Sequence, residues 1–292
     1  MKVQNMNDML KRPVLMCVWA LGLWMLCGCG EIRPSGEVLK ISSSAYSFRD
    51  SVSIPLLRIN AVSVQDGKKK DLVLSAQVIS KWPDKLRLKI EKARYHLLSM
   101  VVNRHTASLY FPRTDKIYST ELNRPVLDGK TGGNLLPVII EMSLMFIRGP
   151  FPQYSLSVYT EQKKENDIYI YTADLPEFTL ELSIHALSYR VLRQVYRFKG
   201  DEKWVMDISF DRYMYTDGNI PYPRKILMEV FRDGEPADKT LLEMYVSRVS
   251  FGRSVSEKAF KADWPEDAVE IKTIPDKPED LFGKLEDEND NG

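Results

Sequence analysis

Apolar and polar positions alternate with a period of two along most of this chain, the pattern of strands that bury one face. Leu72-Val73-Leu74-Ser75-Ala76-Gln77-Val78 and Leu86-Arg87-Leu88-Lys89-Ile90 show it first. Phe178, Leu180, Leu182 and Ile184 then alternate with Glu177, Thr179, Glu181 and Ser183. Met206/Ile208/Phe210, Ile226/Met228/Val230 and Leu242/Met244/Val246 repeat the pattern. Turn signals fall between the runs, at Asp66-Gly67, Lys199-Gly200-Asp201, Asp217-Gly218-Asn219 and Asp233-Gly234. Short turns imply antiparallel neighbours, so the pattern predicts a mainly β protein: a meander of about ten strands with one apolar face to cover.

One segment changes period. Leu136, Ile139, Ile140, Leu144 and Ile147 recur at three-to-four spacing, which predicts a helix over about residues 134–148. Asn134 is its expected N-cap, Pro137 is tolerable in the first turn, and Gly149-Pro150-Phe151-Pro152 stops it. Such a helix is placed to cover the open face of a curved sheet. The serine-rich, β-branched stretch Val38 to Asp50 is ambiguous between tether, strand and poor helix. From Pro275 to Gly292 acidic residues dominate and large apolar ones are few, which predicts disorder.

The N-terminus carries an address. Lys2, Lys11 and Arg12 precede an apolar run from Val14 to Leu26, and Leu26-Cys27-Gly28-Cys29 resembles a bacterial lipobox. Thirteen helical residues reach roughly 20 Å, short of the ~30 Å hydrocarbon core, so this is a secretion signal rather than a retained span. The expected organisation is a signal peptide at 1–28 and a lipidated N-terminus and tether at 29–52. A half-barrel domain follows at 53–268, with an acidic tail at 269–292. Of three cysteines, Cys17 and Cys27 leave with the signal, and Cys29 stays as the lipid attachment site. Two or three acyl chains on that residue anchor stably, where one is marginal. Gly30, rather than an aspartate, favours the outer membrane by resemblance to well-studied lipoproteins. Removing residues 1–28 takes away three basic groups and one acidic group, turning totals of 41 and 40 into 38 and 39, a net charge of about −1. No overall excess steers nucleic acid or anionic lipid.

Several short motifs carry a further resemblance. They are Lys85-Leu86-Arg87-Leu88-Lys89-Ile90, the run Leu97 to Val102, Leu109-Tyr110-Phe111-Pro112 with Lys116-Ile117-Tyr118, and the helix ending Phe146-Ile147-Arg148-Gly149-Pro150. Leu192-Arg193-Gln194-Val195, Ile220 to Ile226 and Phe260 to Pro265 continue the series. Together, over roughly Ile54 to Pro265, they resemble the bacterial outer-membrane lipoprotein carrier and receptor superfamily (LolA/LolB-like). That resemblance implies a curved antiparallel sheet forming a half-open β-barrel, capped by helices and enclosing an apolar cavity for acyl chains. The anchor brings the receptor branch nearer than the soluble carrier branch. It also implies a periplasm-facing protein that binds a membrane lipid or a lipoprotein's acyl chain, receives it from a periplasmic carrier, and transfers it to the outer membrane.

Leu88, Met100, Met142, Met145, Leu180, Met206, Phe210, Met228 and Met244 are the expected acyl-chain lining, methionine being flexible and polarizable. A core of the same residues with no ligand is the competing reading. In the receptor branch the loop between the third and fourth strands approaches the membrane; here Glu91 to His96 matches it, and Tyr95 is the candidate residue. Arg87 and Arg193 fall on the polar side of their alternations and are expected to face solvent. His96, His105 and His185 are widely spaced and show no zinc-ligand spacing, and Gly129 to Gly133 lacks the lysine-serine ending of a phosphate loop. The expectation is no catalysis, no metal and no cofactor. The alternative function is a non-catalytic envelope module that binds a protein or polysaccharide partner on the same scaffold.

Overall fold

A computed structural model describes residues 33–46, 51–65, 67–122, 135–152, 154–199, 203–216, 220–252, 254–273, 275 and 279–282. The chain divides into Met1–Pro34 and Ser35–Gly292, and the fold below is that of the second unit. The expected secretion signal, the expected lipidation site Cys29 and the expected N-cap Asn134 lie outside the described residues.

Helix α1 (Ser35–Ala45) leads into six strands: β1 (Ser51–Gln65), β2 (Lys68–Lys81), β3 (Lys85–Lys92), β4 (Tyr95–Asn103), β5 (Thr106–Phe111) and β6 (Lys116–Glu121). After helix α2 (Leu135–Arg148) come β7 (Tyr159–Glu165), β8 (Ile168–Asp174), β9 (Phe178–His185), β10 (Val191–Phe198), β11 (Trp204–Tyr215), β12 (Pro221–Arg232) and β13 (Glu235–Val246). The short β14 (Ser250–Phe251), β15 (Val269–Ile271) and one turn of helix, α3 (Glu279–Phe282), end the described chain. The strands make one curved, unclosed sheet in the order β15-β6-β5-β4-β3-β2-β1-β13-β12-β11-β10-β9-β8-β7, with β14 beside β1. Two antiparallel meanders are joined where β13 returns to β1, Ile59 opposite Met244 and Ala61 opposite Leu242. Among the described strands only β15 pairs in parallel, on β6. The expected class is the observed one, with more strands than the pattern revealed.

Alternation decides which side chains share the interior. Leu86, Leu88 and Ile90 point one way along β3, and Met206, Ile208 and Phe210 do so along β11; all are buried. Pro55 is accommodated in β1 because the register shifts between Ile54 and Leu57, so the missing N–H falls in a bulge. The opposite face carries ion pairs across strands: Arg193 with Asp207, Lys225 with Glu243 at 2.6 Å, and Lys239 with Glu229 at 3.2 Å.

Helix α1 settles the ambiguous N-terminal stretch. Val38, Leu39, Ser42 and Tyr46 are buried at helical spacing, and the Tyr171 hydroxyl donates to the Ser35 carbonyl at 2.7 Å. Burial of that face offsets the weak helix propensity of Ser42, Ser43 and Ser44. The predicted disorder of the acidic tail does not hold at α3. Leu281 is buried in the core, Phe282 meets Phe111 edge-on at 5.5 Å, and Thr114 Oγ1 donates to the Leu281 carbonyl at 2.8 Å. One leucine and one phenylalanine suffice because strands β5 and β6 supply the surface they cover. Residues 276–278 and 283–292 lie outside the described residues.

Candidate functional site

The inner face of the sheet and helix α2 enclose one continuous apolar cluster. Its composition changes across the sheet. Strands β1 to β5 contribute aliphatic side chains such as Ile59, Val78, Leu88, Leu98 and Leu109. The other wall is aromatic: Phe178 packs on Tyr196 at 5.2 Å and on Phe198 at 5.9 Å, and Tyr169 on Tyr171 at 6.2 Å. Methionines occupy the middle strands, with Met206 on β11, Met228 on β12 and Met244 on β13. All nine residues expected to line a cavity fall in this cluster: Leu88, Met100, Met142, Met145, Leu180, Met206, Phe210, Met228 and Met244. None is more than 5% exposed.

Helix α2 spans the interior. Val138, Ile139, Ile140, Met142, Met145 and Phe146 are buried, while Leu144 and Ile147 are only half-buried. Of the expected stripe, Ile139 and Ile140 face inward and Ile147 packs at the margin of the core, while the inward face is completed by Met142, Met145 and Phe146 rather than by Leu144. Apolar residues ring this helix, so periodicity could not single out a face and the packing did. Ser143, buried, donates back to the Ile139 carbonyl at 2.6 Å, which satisfies its hydroxyl. At the C-terminus Gly149 takes a left-handed φ of +72° and donates its N–H to the Met145 carbonyl at 2.8 Å.

Polar contacts from two strands fasten this helix to the sheet. Ser80 Oγ on β2 donates to the Phe146 carbonyl at 3.3 Å. From the far side Gln194 Nε2 on β10 donates to the Pro150 carbonyl, and its Oε1 accepts from the Tyr196 hydroxyl at 2.9 Å. Gln194 is fully buried on the interior face. A polar residue at that position in Gln194-Val195-Tyr196-Arg197-Phe198 was the sequence signal, since Gln194, Tyr196 and Phe198 share one side of a period-two run.

The interior contains no strong acid or base among its buried residues; its titratable groups are tyrosines. Burial pushes Tyr159, Tyr171 and Tyr222 well up and raises Tyr46 to about 12, so all stay neutral hydroxyls. The histidines are not gathered. His96 contacts Ser99 at 2.9 Å and is held below its usual range, by burial first and by Lys89 next. His185 Nδ1 accepts from the Leu187 and Ser188 N–H groups at 3.3 and 3.2 Å. Among the described residues no cluster of His, Cys, Asp and Glu is arranged to hold a metal ion.

Tyr95 is exposed at the β3–β4 hairpin tip, away from the cluster. The turn there is Ala93-Arg94, with φ of 45° and 75°, a two-residue type I′ geometry. Arg193 faces outward as expected. Arg87 also points away from the interior, but its guanidinium donates to the Ala259 carbonyl at 3.1 Å beneath a 3₁₀ turn, Glu257–Phe260, that crosses the outer face. Lys81 and Lys85 both reach Glu257 in the same turn, and Trp264 stacks on Tyr110 at 5.4 Å. No helix among the described residues is long and apolar enough to cross a membrane.

No family model matches the chain, and no curated protein matches its sequence. Solved structures do match its fold. A LolA superfamily protein from Nitrosomonas europaea aligns over 79% of this chain and 99% of its own, at a TM-score of 0.53 and 14% identity. A domain assigned to outer membrane lipoprotein sorting, from Vibrio parahaemolyticus, aligns over 77% and 95%, at 0.52 and 9% identity. A DUF1329 family protein from Desulfovibrio piger aligns over 77% and 95%, at 0.50 and 16% identity.

Proposed function

From the LolA-like fold that this chain adopts, we propose that it is a lipid-anchored envelope protein whose interior holds the acyl chains of a lipid or lipoprotein. The observation that carries the reading is the interior itself. A single apolar cluster lies under one apolar helix on an unclosed sheet, fastened by a few hydrogen bonds rather than by a closed barrel. At about 0.8 kcal/mol per buried CH₂, a sixteen-carbon chain offers on the order of 12 kcal/mol before ordering costs, enough to hold it in an aqueous compartment. Cys29 is the attachment site, the outer membrane the expected address, and Tyr95 the residue nearest the bilayer during transfer. Cargo enters when α2 lifts, because Met206, Met228 and Met244 are otherwise closed to solvent. A periplasmic carrier is the expected donor.

Two measurements test this. Native mass spectrometry of the chain without its signal and with Cys29→Ser should show co-purified lipid, and a fluorescent fatty acid should bind. Met228→Trp should reduce that binding more than it lowers the melting temperature; equal losses mean that these residues are only core. The close packing of the interior favours one second reading, a filled core whose outer surface binds an envelope protein or polysaccharide. Empty protein with no fatty-acid uptake would leave that reading standing.

A further inference from the structure

Where β10 begins, the chain seats an arginine at the edge of the apolar cluster. The β9–β10 turn is fixed by its own hydrogen bonds: His185 N–H donates to the Arg190 carbonyl and Tyr189 N–H to the His185 carbonyl, both at 2.9 Å. Tyr189 closes the turn with a left-handed φ of +57°. Arg190 therefore enters β10 in a fixed backbone frame, beside the last residues of β11. There Tyr213 and Tyr215, two apart on the strand, each hold a ring centroid 5.3 Å from its guanidinium carbon. Tyr213 packs against the cluster and donates its hydroxyl proton to the Val191 carbonyl. Tyr46, buried just past the end of α1, stands beside it.

This guanidinium is better stacked than it is hydrogen-bonded. Nη2 donates to the Tyr215 hydroxyl at 2.8 Å, whereas Nε is closed to solvent and meets no acceptor among the described residues. No carboxylate among those residues lies within ion-pair distance of Arg190. Asp217, between β11 and β12 in the chain, lies outside them. Other arginines of the sheet are answered: Arg193 by Asp207, and Arg87 by the Ala259 carbonyl at 3.1 Å. A donor shut from water without an acceptor is costly, the more so when it carries charge. Arg190 as a whole is only half-buried, so the rest of its donor fork stays within reach of a ligand.

We propose that Arg190 receives the oxyanion, carboxylate or phosphate, at the head of an acyl chain whose tail lies in the apolar cluster. A guanidinium presents a planar fork matched to either oxyanion, and the two tyrosine rings keep water from it, which strengthens the pairing. Tyr215, 56% exposed, accepts from the guanidinium and so keeps its own proton to donate to the same head. The interior thereby gains a polarity. Tails of any length share the cluster, while the head is held at the end of the sheet where β10 starts and β11 finishes. The inference rests on the acyl-chain reading above and adds the class of head and the residue that selects it.

The soluble chain with Cys29→Ser tests this by titration with a sixteen-carbon fatty acid, its methyl ester and a lysophosphatidylglycerol, at a pH where the acid is ionised. Charge-assisted hydrogen bonds separate acid from ester, so the parent should bind the acid about ten- to hundredfold more tightly. Arg190→Gln should bring that ratio close to one by weakening the acid and not the ester, and Arg190→Lys should keep part of it. Tyr215→Phe should lower the ratio a few-fold. An arginine that merely holds the tyrosines in place would move acid and ester together, whatever happens to the melting temperature, and that outcome overturns the proposal. Whether lysophosphatidylglycerol outbinds the acid, with the same dependence on Arg190, separates a phosphate head from a carboxylate. Arg190-dependent binding of inorganic phosphate without any preference for acid over ester reassigns the residue to a free anion and overturns the proposal. So does a ratio that rises in Asp217→Asn, which gives Arg190 to a carboxylate of the chain. Equal binding of acid and ester by the parent refutes this inference alone; binding of neither refutes the acyl-chain reading and this inference with it.

Discussion

Gln194 is the clearest place to test whether α2 is held as described. Gln194→Ala removes the donor to the Pro150 carbonyl and the acceptor for the Tyr196 hydroxyl, both at fully buried positions. A lost hydrogen bond between neutral groups costs about 1 kcal/mol net, and a carbonyl orphaned in an apolar interior adds about 1–3 kcal/mol. Some relaxation of the Gly149-Pro150 segment recovers part of this, so we expect about 2–3 kcal/mol in urea unfolding. At about 2–4 °C per kcal/mol for a domain of this size, the melting temperature should fall by roughly 5–10 °C. The loss should be local first: amide exchange should quicken at the C-terminal half of α2, residues 142–149, more than in β11 or β12. Fatty-acid uptake should become faster, because the helix that closes the interior has lost a fastening. Gln194→Glu sharpens the test. Burial raises that carboxyl above its unfolded value of about 4.3, so the variant is penalised as pH rises through and beyond that value, and the penalty is absent below it, where the protonated acid donates to Pro150. A change under 0.5 kcal/mol for Gln194→Ala, or exchange that quickens uniformly, would falsify the fastening role.

Three further outcomes follow from particular contacts. Leu281→Ala should cost about 2–4 kcal/mol, as for other buried leucines, although it stands in an acidic tail; unaltered unfolding would show that α3 does not hold the core. Ala93→Asn, at a left-handed position of the β3–β4 turn, should raise stability by about 0.5–1 kcal/mol in thermal melts, and a loss would argue against the type I′ geometry. Glu257 is held down to about 2, first by its hydrogen bonds to Lys81 and Lys85. Its depressed value means that its contribution is present above the unfolded value of about 4.3 and fades as pH falls toward 2. Glu257→Gln should therefore melt below the parent at pH 7 and coincide with it at pH 2; a gap that persists at pH 2 contradicts that linkage.

Much of the fold was legible because a strand's side-chain period is fixed at two. Leu86/Leu88/Ile90 or Ile226/Met228/Val230 can share the interior only as a set, whatever pairs beside them, and Leu88, Leu180, Met206, Phe210, Met228 and Met244 are buried for that reason. The existence of α2 was legible too, from its change of period and its Gly-Pro stop. Where both faces of an element are apolar, that logic has nothing to choose with. In Ile168-Tyr169-Ile170-Tyr171 the tyrosines turn inward and the isoleucines do not, and in α2 Met142 and Met145 face the core while Leu144 and Ile147 stand at its margin. Position in the sheet decided both, by setting which side has a neighbour to pack against.

The alternation belongs to the sequence alone, because period two names the buried face of every strand that has only one apolar face, and the proposed acylation of Cys29 rests on Leu26 to Cys29 and on nothing in the fold. Tertiary structure decided what depends on residues far apart in the chain. Gln194 meets Pro150 only because β10 lies under the end of α2, and Leu281 is core only because β5 and β6 wait for it.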